Sequence, residues 1–151
     1  MAKILIADDN EPLRTFLKAT LSEHSGWSIC GEAANGRQAV LMAIQSKPDL
    51  VVLDLSMPML NGLEAAAEIL KILPNVPIVL YTLHKGAQLD LEAKKIGVCK
   101  VLSKDEGQLE LIAGLEDRWI RRVVGSWRFF IRGGWRTDEH LRKRPPSLRF
   151  A

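Results

Sequence analysis

The sequence has few of the residues that hold disulfide-bonded or metal-rich domains together. Its 151 residues include only two cysteines and three histidines. Cys30 and Cys99 form neither a CxxC pair nor a metal-ligand cluster, and lone cysteines of this kind are usually reduced, small hydrophobic residues. We therefore expect no cysteine-based framework, and we assign the two residues no role.

Long apolar runs are also absent. No window approaches the ~20 apolar residues that span a bilayer, and no early stretch combines a basic start, an apolar run and a small-residue cleavage site. These absences predict a cytoplasmic protein without a membrane span. With 47% hydrophobic residues, the chain is long enough to bury one core beside a short appendage, but a second full-size domain would not fit.

Charge is distributed unevenly along the chain. Residues 1–117 contain 11 Lys and Arg against 16 Asp and Glu, a net charge of −5. Residues 118–151 contain 10 against 2, a net of +8, and the two values sum to the +3 of the whole chain. The second region also holds six of the nine aromatic residues. The division predicts one domain at 1–117 and a basic, aromatic-rich extension at 118–151 that is not a full domain.

The first region alternates short β-rich runs with amphipathic stretches, a rhythm typical of βαβ units around a parallel sheet. Apolar residues recur at helical spacing between the runs, for example behind Pro12 and behind the Asn35-Gly36 turn. The pattern predicts five helices, and five strands at 3–7, 27–32, 50–55, 77–82 and 98–103.

Polar side chains collect where these strands end. Asp8 and Asp9 follow the first strand, and Asp54, Thr82 and Lys104 lie at the ends of the third, fourth and fifth. Each alone is more often a cap, a turn residue or a solvated charge. Together they lie where ligands gather in a doubly wound sheet. Because three adjacent carboxylates repel one another unless a cation joins them, we interpret the cluster as a Mg²⁺ site.

This arrangement suits phosphoryl transfer. Asp54 would be the nucleophile, since a carboxylate is already ionised near neutral pH and needs no activating base. The ammonium of Lys104 and the hydroxyl of Thr82 would hold the remaining phosphoryl oxygens while the cation offsets the charge that develops.

The same residues resemble the response-regulator receiver family of two-component signalling. The resemblance rests on Asp8-Asp9, the segment Asp-Leu-Ser-Met-Pro-Met-Leu-Asn-Gly at 54–62, Thr82 and Lys104, and it covers about residues 1–117. It implies a flavodoxin-like three-layer α/β sandwich. Its doubly wound sheet would have five parallel strands in the order 2-1-3-4-5.

The resemblance also implies a function. Asp54 would accept a phosphoryl group from a phosphohistidine on a sensor histidine kinase or a phosphotransfer protein, with Thr82 and Lys104 taking part in the chemistry. Asp8, Asp9, Asp54 and the backbone carbonyl of Ser56 would bind Mg²⁺. The chain would then be a phosphorylation-dependent signalling switch that acts only on its own phosphoryl group, and a homodimer formed on phosphorylation is left open.

Two positions depart from the common family pattern. Val101 stands where many members have an aromatic residue whose rotation reports phosphorylation, so the output would use a different rearrangement. Asp105 follows Lys104 where many members have proline, and Ser-Lys-Asp resembles the subgroup that usually carries a LuxR-type DNA-binding module. Residues 118–151 show no pair of amphipathic helices joined by a short turn, which such a module needs.

Rival interpretations remain for both regions. A phosphatase of the haloacid-dehalogenase type also uses a strand-end Asp, a Lys and Mg²⁺, but it needs a second Asp where this chain has Ser56. The chain could instead be a transcriptional regulator that binds nucleic acid through its basic, aromatic-rich extension. We favour an extension without a binding role, and a membrane-surface role is a third alternative.

Overall fold

A computed structural model describes residues 1–116 of the chain. Five strands alternate with five α-helices in this part. The strands are β1 (Ala2–Ala7), β2 (Trp27–Ala33), β3 (Leu50–Leu53), β4 (Ile78–Thr82) and β5 (Lys100–Ser103). The helices are α1 (Glu11–Ser22), α2 (Gly36–Ser46), α3 (Gly62–Ile72), α4 (Ala87–Ile96) and α5 (Gly107–Leu115), and a 3-10 turn at Lys104–Glu106 precedes α5. The predicted extension at 118–151 lies outside the described residues.

All five strands run parallel in one sheet, in the order β2-β1-β3-β4-β5. This confirms the predicted fold. Because every connection between parallel neighbours returns through a helix, all strands end at the same edge of the sheet. The polar residues that follow the strands therefore meet at that edge.

Alternate side chains of the strands pack into two separate hydrophobic cores, one on each face of the sheet. In β1, Leu5 and Ala7 join the core that packs against α2, α3 and α4, whereas Ile4 and Ile6 join the core under α1 and α5. The same alternation in β3 leaves all four of its residues buried. A central strand covered on both faces is the reason that its sequence is apolar throughout.

Two strands, β3 and β5, are each two residues shorter than the sequence predicts, and β4 begins one residue later than predicted, at Ile78. β3 ends at Leu53, because the chain then turns into a loop closed by a 2.8 Å hydrogen bond from the Gly62 N–H to the Leu55 carbonyl. β5 begins at Lys100, because the N–H of Val98 donates to the Ala93 carbonyl at the end of α4. The differences in β3 and β5 arise where a helix or loop takes hydrogen bonds that the strand pattern assigns to the sheet.

Three of the helices start with an asparagine at the edge where the strands end. The side-chain oxygens of Asn10, Asn35 and Asn61 each accept the backbone N–H three residues further on, at 2.8–3.0 Å. Such caps satisfy donors that the first helical turn leaves free. They also fix the loops between strand and helix, where the polar residues lie.

None of the helices within residues 1–116 combines the length and the apolar character needed to cross a membrane.

Candidate functional site

The backbone of the sheet brings two aspartates side by side. Ala7 and Leu53 are partners in the β1–β3 register, and the N–H of Asp54 donates to the Ala7 carbonyl at 2.8 Å. Asp8, the residue after Ala7, is held on its other side by a 3.0 Å hydrogen bond from its N–H to the Ala33 carbonyl. Asp8 and Asp54 therefore begin neighbouring loops at the same level of the sheet.

Three carboxylates form a compact cluster at this point. One oxygen each from Asp8, Asp9 and Asp54 lies within 4.8 Å of the others. Asp8 and Asp54 are almost fully buried, with 2% and 6% of their surface exposed, whereas Asp9 is exposed. Hard oxygen donors at such separations fit a Mg²⁺ ion that keeps some of its water ligands, and the exposed side of Asp9 leaves a path for it.

Lys104 contacts two of the three carboxylates. Its Nζ is 2.6 Å from Asp8 Oδ2 and 3.4 Å from Asp54 Oδ1. Only 12% of the lysine side chain is exposed, so little water screens these contacts. The register pairs Thr82 with Ser103, so the next residue, Lys104, leaves the sheet beyond the end of β4 and turns towards β1 and β3.

The surroundings of Asp54 disfavour the ionised form of its carboxyl group. Burial raises the pKa of the Asp54 carboxyl above its ordinary value, and the nearby Asp8 charge raises it further. The Lys104 ammonium and a backbone hydrogen bond from Leu55 oppose this rise without cancelling it. A divalent cation among the three carboxylates would favour the ionised form of Asp54.

Thr82 is fully buried at the end of β4, the neighbour of β3 in the sheet. Its Oγ1 accepts a 3.2 Å hydrogen bond from the backbone N–H of His84. A hydroxyl that accepts one bond still has its own proton to donate. The structure therefore places Thr82 at the predicted edge with a donor available for an anionic group.

The loop after Asp54 is tightly fitted at one end and open at the other. A Cβ on Gly62 would clash with the Asp54 carbonyl oxygen, so only glycine allows α3 to start this close to the end of β3. Ser56 is exposed, and together with His84 it lines an open groove of about 530 Å³. The Ser56 carbonyl stays a predicted metal ligand.

Two neighbours that hold Asp8 by hydrogen bonds are not predicted from the sequence. The backbone N–H of Asn10 donates to Asp8 Oδ1 at 2.9 Å, and Arg14 Nη1 donates to the Asp8 carbonyl oxygen at 2.7 Å. Arg14 lies on α1, which begins immediately after the acidic pair. The sequence does show that α1 begins directly after the acidic pair. Polar residues in the first turns of α1 must therefore lie near the loop that holds Asp8.

Comparison with known proteins identifies the family of this chain. The sequence model of the response regulator receiver domain matches residues 4–116. The chain belongs to the response regulator receiver family. Receiver domains bind Mg²⁺ at an acidic pocket, and the described part of this chain has a cluster of three aspartates, Asp8, Asp9 and Asp54.

Individual relatives support this assignment. Chemotaxis protein CheY of Thermotoga maritima is 39% identical over 95 residues, which are 63% of this chain and 78% of that protein. A protein-glutamate methylesterase/protein-glutamine glutaminase of Geobacillus kaustophilus is 34% identical over 125 residues. These are 81% of this chain but only 36% of the methylesterase, so this receiver matches about a third of that protein's length.

A solved structure matches in the same way. The crystal structure of a two-component response regulator of the LuxR family from Aurantimonas sp. SI85-9A1 superposes with a TM-score of 0.74 at 25% identity. The match covers 85% of this chain and 98% of the other. The resemblance to receivers of the LuxR subgroup therefore extends from the sequence to the fold.

Proposed function

We propose that this receiver is a cytoplasmic signalling switch in which Asp54 accepts a phosphoryl group from a sensor histidine kinase or a phosphotransfer protein. One observation carries the proposal. The buried Asp54 carboxylate lies among two further carboxylates and 3.4 Å from the ammonium of Lys104, whose side chain is 12% exposed. That combination suits an acceptor whose product carries more negative charge than the acceptor itself.

Asp54 is the nucleophile in this proposal, and each neighbour has a separate task. Asp8, Asp9, Asp54 and the Ser56 carbonyl would hold Mg²⁺, which supplies positive charge to the phosphoryl oxygens when it is bound. A carboxylate oxygen of Asp54 attacks phosphorus, the bond from phosphorus to the donor breaks, and the donor leaves with the bonding electrons. No general base is needed, because the attacking oxygen carries no proton.

Lys104 and Thr82 stabilise the phosphorylated form. Lys104 Nζ is closer to Asp8 than to Asp54, at 2.6 Å against 3.4 Å. A phosphoryl group on Asp54 adds negative charge on that side, so the ammonium moves towards it. The Thr82 hydroxyl donates to a further phosphoryl oxygen.

The output would pass through the face formed by α4 and β5. Val101 lies on β5, partly buried against the core under α4, and it lacks the ring whose rotation many receivers use. We propose that the small shift of Lys104 and Thr82 is transmitted through the backbone of β4 and β5 instead. Dimer formation through this face on phosphorylation, and a domain that ends near residue 117, belong to the same proposal.

The experiment is phosphoryl transfer to the full-length protein. Incubation with Mg²⁺ and acetyl phosphate should add one phosphoryl group, detected as a mass increase of the intact chain. Asp54→Asn should abolish the increase, whereas Asp49→Asn, at the other end of β3, should keep it. Uptake by Asp54→Asn that equals uptake by the wild type would refute the assignment. Steady turnover of external phosphate esters would favour a phosphatase instead.

A further inference from the structure

Arg14 is a charged residue at the edge of the site that the proposed chemistry does not use. Its Nη1 donates to the carbonyl oxygen of Asp8 at 2.7 Å. Its Nε is shielded from solvent and has no hydrogen-bond partner among residues 1–116. Leaving a guanidinium N–H buried without a partner costs free energy, so the position of Arg14 is not the one that its own hydrogen bonding would favour.

The next basic residue on the same face of α1 provides a contrast. Lys18 lies one turn further along and reaches Glu32 Oε2 on β2 at 2.9 Å, with 54% of its side chain exposed. That pair is an ordinary surface salt bridge, whose contribution to stability is small. Arg14, by comparison, forms no salt bridge with any carboxylate in the described part of the chain. Within the described residues, the guanidinium of Arg14 donates to the backbone of the acidic pair.

The atom that Arg14 binds explains why this matters. The Asp8 carbonyl belongs to the peptide unit that joins Asp8 to Asp9, and a peptide unit is planar and moves as one rigid group. Fixing its oxygen therefore sets the direction in which the chain leaves Asp8 and enters Asp9. The side chain of Asp8 is already held at both oxygens, by the Asn10 N–H at 2.9 Å and by Lys104 at 2.6 Å. Arg14 adds the constraint on the backbone.

We infer that Arg14 is a positioning residue that orients the Asp8–Asp9 peptide so that both carboxylates face the cation beside Asp54. The inference rests on the proposed function and deepens it, because it names a residue that controls cation affinity without touching the cation. Partners that orient metal ligands in this way commonly change metal affinity by about ten- to a hundredfold when they are removed.

The sign of the effect separates positioning from simple electrostatics. If Arg14 acted only as a nearby positive charge, its removal would tighten the binding of a divalent cation. If it positions the acidic pair, its removal weakens binding, because the two carboxylates lose their common orientation. The two roles therefore predict opposite changes for the same variant.

The test measures Mg²⁺ binding to the full-length protein by calorimetry, for the wild type, Arg14→Met and Arg14→Lys. We expect the Kd for Mg²⁺ to rise about tenfold in Arg14→Met. Arg14→Lys keeps the charge but lacks the planar fork of donors, so its Kd should lie between the two. Arg37→Met is the matched control: Arg37 is an exposed arginine on α2 that lies 3.8 Å from Glu68, and its loss should leave the Kd within about twofold.

A second measurement distinguishes positioning from general damage to the fold. At saturating Mg²⁺ the rate of phosphorylation by acetyl phosphate should return to nearly the wild-type value in Arg14→Met, because Asp54, Thr82 and Lys104 follow other strands. A variant that was merely misfolded would lose the rate at every Mg²⁺ concentration. If Arg14→Met does not fold, Arg14→Lys carries the same comparison with unchanged charge.

The outcomes also separate this inference from the proposed function. An unchanged or tighter Kd in Arg14→Met overturns the positioning role even if Asp54 is phosphorylated normally. Weaker Mg²⁺ binding without any phosphoryl uptake by the wild type would support the positioning role and refute the proposed function. A wild-type protein that binds no Mg²⁺ would refute both.

Discussion

Two aspartates flank the central strand β3, and both are buried but have different contacts. Asp49 precedes the strand with 9% of its surface exposed, and Asp54 follows it with 6% exposed. Asp49 Oδ2 accepts the backbone N–H of Lys3 at 2.8 Å, a fixed neutral donor. Asp54 faces the Asp8 carboxylate and the Lys104 ammonium, and burial raises its pKa. Burial beside the Asp8 carboxylate and the Lys104 ammonium therefore marks Asp54 as a candidate functional carboxylate.

The two edges of the sheet differ in the same sense. Around Asp49 lies a groove of about 430 Å³ whose lining includes Pro48, Leu73 and Val76. The ammonium of Lys3 donates to the Ser46 carbonyl at 2.6 Å, so the charge near Asp49 is tied to the backbone. At the opposite edge, the charged side chains of Asp8, Asp54 and Lys104 contact mainly one another. A ligand can therefore rearrange these three side chains at little cost to the fold.

Lys104→Met should give the largest effect on Mg²⁺ binding and on phosphorylation, because it removes the ammonium that contacts both Asp8 and Asp54. Lys104 lies 2.6 Å from Asp8, so it competes with a divalent cation for that carboxylate. Its loss should tighten Mg²⁺ binding about tenfold, as expected from removing an adjacent positive charge, and slow phosphorylation by about a hundredfold. Calorimetry and phosphoryl uptake on the same preparation measure the two changes.

The critical result is that Lys104→Met binds Mg²⁺ more tightly and is phosphorylated more slowly. Lys3→Met is the control at the other edge, and it should alter neither. If Lys104→Met weakened Mg²⁺ binding, the lysine would be supporting the cation site rather than competing with it, and the assigned geometry would be wrong.

A smaller effect is expected on stability. Replacing Asp54 and replacing Asp49 by asparagine should change the free energy of unfolding in opposite directions. The pKa of Asp54 is raised by folding, so the ionised carboxyl is less favourable in the folded chain than in the unfolded one. This cost grows as pH rises through the unfolded-state pKa and reaches its full size above the folded-state pKa. Asp54→Asn should therefore raise the free energy of unfolding at neutral pH, by on the order of 1 kcal/mol, and lose that gain in acid.

Asp49→Asn should instead lower the free energy of unfolding by about 1–2 kcal/mol, because it weakens a charge-assisted hydrogen bond to a part-buried backbone N–H. Urea unfolding of both variants in the absence of Mg²⁺ measures the pair. Equal losses at the two positions would mean that Asp54 is as well satisfied as Asp49, contrary to the contrast drawn above.

Much of the site was predictable because strand ends are visible in a sequence. Parallel strands end at a common edge, so Asp8, Asp54, Thr82 and Lys104 were expected to meet once their strands were recognised. The preference of Lys104 for Asp8 over Asp54 was not predictable, since it depends on a difference of less than an ångström between two contacts. The sequence pattern also could not separate Asp49 from an ordinary loop residue, because Asp49 accepts a backbone N–H from a residue 46 positions away.

The role of Arg14 was only partly predictable from the sequence. Its helix could be predicted from the apolar spacing behind Pro12, but the pattern does not specify which way a polar side chain in the first turns will point. A hydrogen bond to a carbonyl leaves no trace in residue types, because every residue carries a carbonyl. Contacts between side chains and the backbone are therefore the part of this site that only the structure reveals.

The most direct measurement of the central claim is to locate the cation. Mn²⁺, which accepts the same oxygen ligands as Mg²⁺, broadens the nuclear magnetic resonance signals of nearby amides. In a titration of the full-length protein we predict that the amides of Asp8, Asp9 and Asp54 to Ser56 broaden first, while those of Lys3 and Asp49 stay sharp. Broadening that begins around Asp49, or that spreads evenly along the chain, would contradict the account.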